Sequence, residues 1–113
     1  DQKSFYYILP LLNLILIAND TIPRGGQVHV ALSRGETAGR NMISANVRSE
    51  GVGARLGEGV EAALDTASDN NALNPKSAPA RLAADLAETF GGAITVMPHV
   101  DAVEFSVDLN PTD

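Results

Sequence analysis

The sequence predicts an α+β fold, a two-layer sandwich with three helices on one face of a mostly antiparallel sheet. Two observations predict it. Three stretches carry apolar residues at helical spacing and four have the alternation or β-branched content of strands, in the order helix, two strands, helix, long loop, helix, two strands. The strands also come in sequence-adjacent pairs, as hairpins do. With 113 residues, 44% hydrophobic and 19% charged, the chain suffices for one compact domain with a single core.

The first helix is "LLNLILIAND", closed by the Pro-Arg-Gly-Gly turn Pro23 to Gly26. The apolar run from Phe5 to Ala18 is interrupted by Pro10 and Asn13, and falls short of the roughly 20 residues of a membrane span. It also lacks the basic flank and small-residue cleavage pattern of a secretory signal. A helix apolar on all sides packs between the sheet and another element, or has its second face covered by a neighbouring domain of a larger protein. Asn13, inside this run, must be satisfied by a hydrogen bond or serve a ligand. The first of these, a bond to backbone or buried water, is the expectation.

"QVHVALS" alternates with Val28, Val30 and Leu32 inward, "RGETAGR" reads as a long turn, and "NMISANVRS" alternates again with Ile43, Ala45 and Val47 inward. "RLGEGVEAALDTA" is a short amphipathic helix weakened by Gly57 and Gly59, and Thr66 to Ala80 is the weakest region. In "ARLAADLAETFGG" Leu82, Leu86 and Phe90 recur four apart with Ala83 and Ala87 alongside, and Gly91 ends the helix. "AITVMP" and "VEFSVDL" close the sheet, with Val103, Phe105, Val107 and Leu109 on one face and Glu104, Ser106 and Asp108 on the other. The second sheet face is polar enough to meet water.

A net charge of -6 and a pI near 4.7 argue against nucleic acid and anionic membrane surfaces as partners. The absence of cysteine excludes disulfides and thiolate metal sites, and fits the cytoplasm. No catalytic set or metal cluster has convincing spacing, so catalytic residues, metal and cofactor are all expected to be none. His29 falls on the polar side of a strand and His99 in a hairpin loop, so neither histidine stands on a helix face. Arg48, outward beside Ser44 and Asn46, is the candidate contact for a protein partner.

The residues quoted resemble the ATP-binding domain of sensor histidine kinases, the Bergerat-type fold. Asn13, Leu14, Ala18, Pro23, Gly25 and Gly26 are similar to the family's asparagine box and its following turn, but the second asparagine falls on Ile17. "SEGVG" keeps Gly51 and Gly53 of the adenine box, with Ser49 where the family has aspartate; a serine could still reach a purine through water. The phosphate-binding glycines fall on Pro75, Ser77 and Pro79, and proline has no amide hydrogen to give.

A degenerate kinase-like domain of this kind resembles the C-terminal part of histidine phosphotransferases of the ChpT type. What that resemblance implies is a pseudo-ATPase domain, spanning 1–113, of a longer phosphotransferase whose dimerising helical hairpin is absent here. It would serve docking to a response-regulator receiver domain in a phosphorelay, without ATP hydrolysis. The alternatives are a working ATP-binding kinase domain with atypical boxes, or a small α+β protein-binding module. They differ in whether ATP binds and whether a histidine-bearing hairpin lies upstream.

Overall fold

The computed structural model describes residues 8–37, 39–57, 60–65 and 77–110. Its elements are α1 (Ile8–Asp20), β1 (Gln27–Thr37), β2 (Arg40–Glu50), α2 (Val60–Leu64), α3 (Ala78–Thr89), β3 (Thr95–His99) and β4 (Ala102–Leu109). The start of the apolar run at Phe5, the helix-weakening Gly59, Pro75 and most of the polar loop lie outside the described residues.

The four strands form one antiparallel sheet in the order β1-β2-β4-β3. The two outer pairs are hairpins, and β2 joins β4 at the centre with Val47 opposite Phe105 and Ala45 opposite Val107. Those residues and Val103 and Leu109 are buried under the helices, as the alternation requires. The α+β two-layer sandwich is therefore the architecture found.

The first hairpin is tighter than its sequence suggests. "RGETAGR" reads as a long loop because Gly35 and Gly39 are turn formers, yet Gly35 pairs with Met42 and Thr37 with Arg40. The ladder reaches to within two residues of the bend, where Gly39 has φ +79°. A second correction concerns depth. Val30 and Leu32 do lie on the helix side, opposite Val47 and Ala45, but they are 45% and 55% exposed because β1 is an edge strand and the helices reach only as far as Val28.

The helix expected over "RLGEGVEAALDTA" is shorter than its spacing suggests: it runs from Val60 to Leu64, burying Val60, Ala63 and Leu64, while Arg55, Leu56, Gly57 and Asp65 are not helical. On α3 the expected leucine ridge gives way to alanine: Ala80, Ala83, Ala84 and Ala87 are buried, whereas Leu82 is 52% exposed. Small side chains let α3 pack against α1 and Leu82 is left outside, while Phe90, at the C-terminal end of the helix, is buried in the core as the spacing predicts. The helix ends as a Schellman motif, Gly92 N–H donating to Ala87 O at 2.9 Å and Gly91 N–H to Glu88 O at 3.0 Å, with Gly91 at φ +74°.

Candidate functional site

The Pro-Arg-Gly-Gly turn and "SEGVG" meet at one end of the sheet. A Cβ on Gly26 would run into the carbonyl of Glu50, and one on Gly51 into the carbonyl of Gly25. The two backbones approach too closely for any side chain. On its other flank the segment is held by Asp101, whose carbonyl accepts the Gly51 N–H at 3.0 Å and whose carboxylate Oδ1 accepts the Gly53 N–H at 3.0 Å. Arg55 N–H then donates to Thr21 O at 3.0 Å. Both glycines of this segment thus give their N–H groups to Asp101, Gly51 to its carbonyl and Gly53 to its carboxylate.

Ser49 is fully buried. Its hydroxyl and that of Thr21 are hydrogen-bonded at 2.5 Å, one donating to the other, and the proton that remains has a carbonyl to meet, Val103 O at 3.2 Å from Ser49 Oγ or Ala18 O at 2.7 Å from Thr21 Oγ1. The water-mediated purine contact suggested by the sequence has no room: the one proton on Ser49 is spent inside the protein. Thr21, the partner that seals it, was not singled out in the sequence, although a polar residue directly after an apolar helix is a signal for a cap.

An open cleft of about 530 Å³ lies between the end of α1, the 54–57 segment and the start of α3. Ile17, Pro23, Leu56, Val60 and Pro79 give it apolar walls, and Asp20 and Arg55 bring charge to it. These residues do not fit a magnesium nucleotide. Ile17 is aliphatic, Ser49 is sealed from the cleft, and at the start of α3 Pro79 has no N–H while the Ala80 N–H turns back to Ser77 O at 3.1 Å. Ser77 itself is buried at the helix N-cap and makes no side-chain cap bond, and Pro75 lies outside the described residues. Asn13 Nδ2 donates to Leu9 O, one turn back in its own helix, at 2.9 Å. That local bond leaves the amide's remaining capacity pointed at the surface of α1.

The outer sheet face carries a connected polar network. Ser44 Oγ donates to Asp108 Oδ1 at 2.6 Å, and Asn46 Nδ2 donates to Glu104 Oε2 at 2.8 Å and Ser106 Oγ at 3.0 Å. Arg48 Nε donates to Glu50 Oε1 at 2.8 Å, and its Nη1 stands 3.8 Å from Glu104 Oε1. Glu104 also meets His99 Nε2 at 3.2 Å. Asn46 first, then His99 and the Arg48 charge hold its carboxyl below the usual value near 4.5. Sequence alternation placed Glu104 on this face but could not show that it is the hub, since its partners come from β2 and β3.

His29 is exposed, 4.0 Å from Glu50 Oε2, and His99 is the last residue of β3 rather than a loop residue. Both belong to strands. Among the described residues no group of His, Cys, Asp or Glu is arranged to hold a metal ion, and no helix is long and apolar enough to cross a membrane.

Residues 10–101 match the family described as the histidine phosphotransferase C-terminal domain. Among solved structures, one described as a 1.7 Angstrom structure of a bacterial phosphotransferase is similar, with a TM-score of 0.70 and 26% identity. The similarity covers 87% of this chain but 46% of that one, so this chain spans under half of that protein. No curated protein matches the sequence significantly.

Proposed function

Because this chain belongs to the histidine phosphotransferase C-terminal domain family, we propose that it is the C-terminal part of a longer, cytoplasmic phosphotransferase that relays phosphoryl groups between response-regulator receiver domains. In that protein it is a pseudo-ATPase domain. The histidine that carries the phosphoryl group belongs to a helical hairpin outside this chain, through which the parent dimerises, and this domain helps to seat the receiver.

The observation that carries the reading is the closure of Ser49. The position that would read adenine is buried and bonded to Thr21 and Val103, so the site has been converted from ligand recognition to packing. Arg48, on the outer face beside Glu50 and Glu104, is the candidate contact to the receiver. The cleft beside Ile17 is what favours the second reading, an ATP-binding domain with atypical boxes.

Titration calorimetry with magnesium and ATP on the folded chain separates the two. Each lost hydrogen bond to a charged group costs about 1.5–3 kcal/mol, so the expected result is no saturable binding tighter than roughly millimolar. Binding at about ten micromolar or tighter would establish the second reading instead. The same sample, incubated with a phosphorylated receiver domain, is expected to acquire no acid-labile phosphate. Label on His29 or His99 would contradict the assignment of the acceptor to the hairpin.

A further inference from the structure

The outward side of α1 is apolar from Ile8 to Leu16 and turns polar only at Asn19 and Asp20, the end of the helix. Ile8, Leu12 and Leu16 recur at i, i+4 and i+8 with Leu9 beside them, and they are 48%, 50%, 63% and 42% exposed for Ile8, Leu12, Leu16 and Leu9 respectively. The opposite side of the same helix, Leu11, Leu14, Ile17 and Ala18, closes the core. On the same side of the sheet β1 adds Val30 and Leu32, at 45% and 55%. No charged residue occurs between Ile8 and Asn19 or between Gln27 and Ser33.

An uncharged ridge at four-residue spacing is the surface that another helix packs into. We propose that this ridge is an internal docking surface, covered by a helix from the part of the polypeptide that precedes the C-terminal domain. The inference rests on the reading of the chain as the end of a longer phosphotransferase. Three observations select this occupant. The matching family is defined as a C-terminal domain, so its members have a preceding part. The similar solved phosphotransferase has more than half of its chain outside the match. The ridge lies on the first element of the domain, where the preceding part enters at high effective concentration.

The chemistry points the same way. A surface that engages and releases a receiver needs a polar rim, whereas a permanently covered one resembles a core cut in half. The polar candidates for exchange with a receiver lie on the opposite face of the sheet, around Arg48 and Glu104.

The test uses the absence of native cysteine in this chain. Leu12→Cys and Leu16→Cys are each introduced into the 113-residue chain and into the parent protein. Maleimide labelling of the corresponding peptides is then followed by mass spectrometry. Val100→Cys, at a position 94% exposed, controls for reagent access, and melting curves show that each variant is folded.

Fast labelling in the isolated chain and labelling slowed about tenfold or more in the parent are expected, as for a surface uncovered a tenth of the time or less. Equal, fast rates in both overturn the proposal. Should the wild-type parent still pass phosphoryl groups between receivers, the functional reading survives that outcome, so the two fail separately. Slow labelling in the isolated chain that accelerates on dilution assigns the ridge to a second copy. Protection appearing only when a receiver is added assigns it to that partner. Either result also overturns the proposal.

Discussion

Gly51 and Gly53 stand two residues apart in one motif and are held there for different reasons. At Gly51 the obstacle is the carbonyl of Gly25, so Gly51→Ala must push two backbones apart, at about 1–3 kcal/mol. At Gly53 there is open space and a φ of +78°, a conformation that asparagine tolerates. Chemical denaturation is expected to show Gly51→Ala clearly destabilised and Gly53→Asn close to the parent sequence; equal losses would refute the steric account. Glu104 supplies a second test. Its carboxyl is held below 4.5 in the folded state, so the stability it contributes is present above that value and is lost as pH falls through its depressed folded pKa. The stability gap between wild type and Glu104→Gln is therefore expected to shrink as pH falls below about 4.5, and a gap independent of pH would remove the carboxylate from the account. Position and face were legible at this scale, because alternation assigns Glu104 and Arg48 outward. Partners were not: Thr21 meets Ser49 across 28 residues, a contact that only the folded chain creates.

Elements were legible where periodicity and chain punctuation agree. β4 alternates from Val103 to Leu109, as its sequence reads, and α3 ends at Gly91, where a left-handed residue is required. The errors arose where local signals compete with pairing or packing. Glycines in "RGETAGR" announce a turn, but eleven residues of β1 pair with eleven of β2. In α3, hydrophobicity favours Leu82 as a core residue while the helix interface selects small side chains. The consequence is an inverted sensitivity to size. Ala83→Leu, at a position with no exposure, is expected to cost about 1–3 kcal/mol by overpacking, whereas Leu82→Glu should change stability by less than about 0.5 kcal/mol. Thermal melts of both variants decide it, and a larger loss at Leu82 would restore the leucine ridge as the packing face.

For the molecule as a whole, the architecture followed from the order of patterns, and the residue types at Ile17, Ser49 and Pro79 that carry the pseudo-ATPase proposal were visible in the sequence. The packing of Ser49 was not, because its burial depends on three elements converging. The two sheet faces have different prospects. Arg48→Glu places a third carboxylate beside Glu50 and Glu104 on the polar face, reversing the charge offered to an acidic partner without entering the core. In the proposed parent protein Arg48→Glu is expected to slow transfer to the proposed receiver partner while leaving the melting temperature within a few degrees, since exposed ion pairs contribute about 0–1 kcal/mol. Unchanged transfer would remove Arg48 from the docking face. The sheet order has a consequence for how the chain reaches this state. Each hairpin closes over a short loop, and only the β2–β4 ladder joins distant segments, with Val47 finding Phe105. Folding is thus expected to have a seam: the two hairpins pair locally, and the non-local β2–β4 ladder is the contact expected to limit the rate, which substitutions at Val47 or Phe105 would test through refolding kinetics. Lengthening the segment between α2 and α3 taxes this pairing only logarithmically, about 0.6 kcal/mol for each doubling of the closed loop.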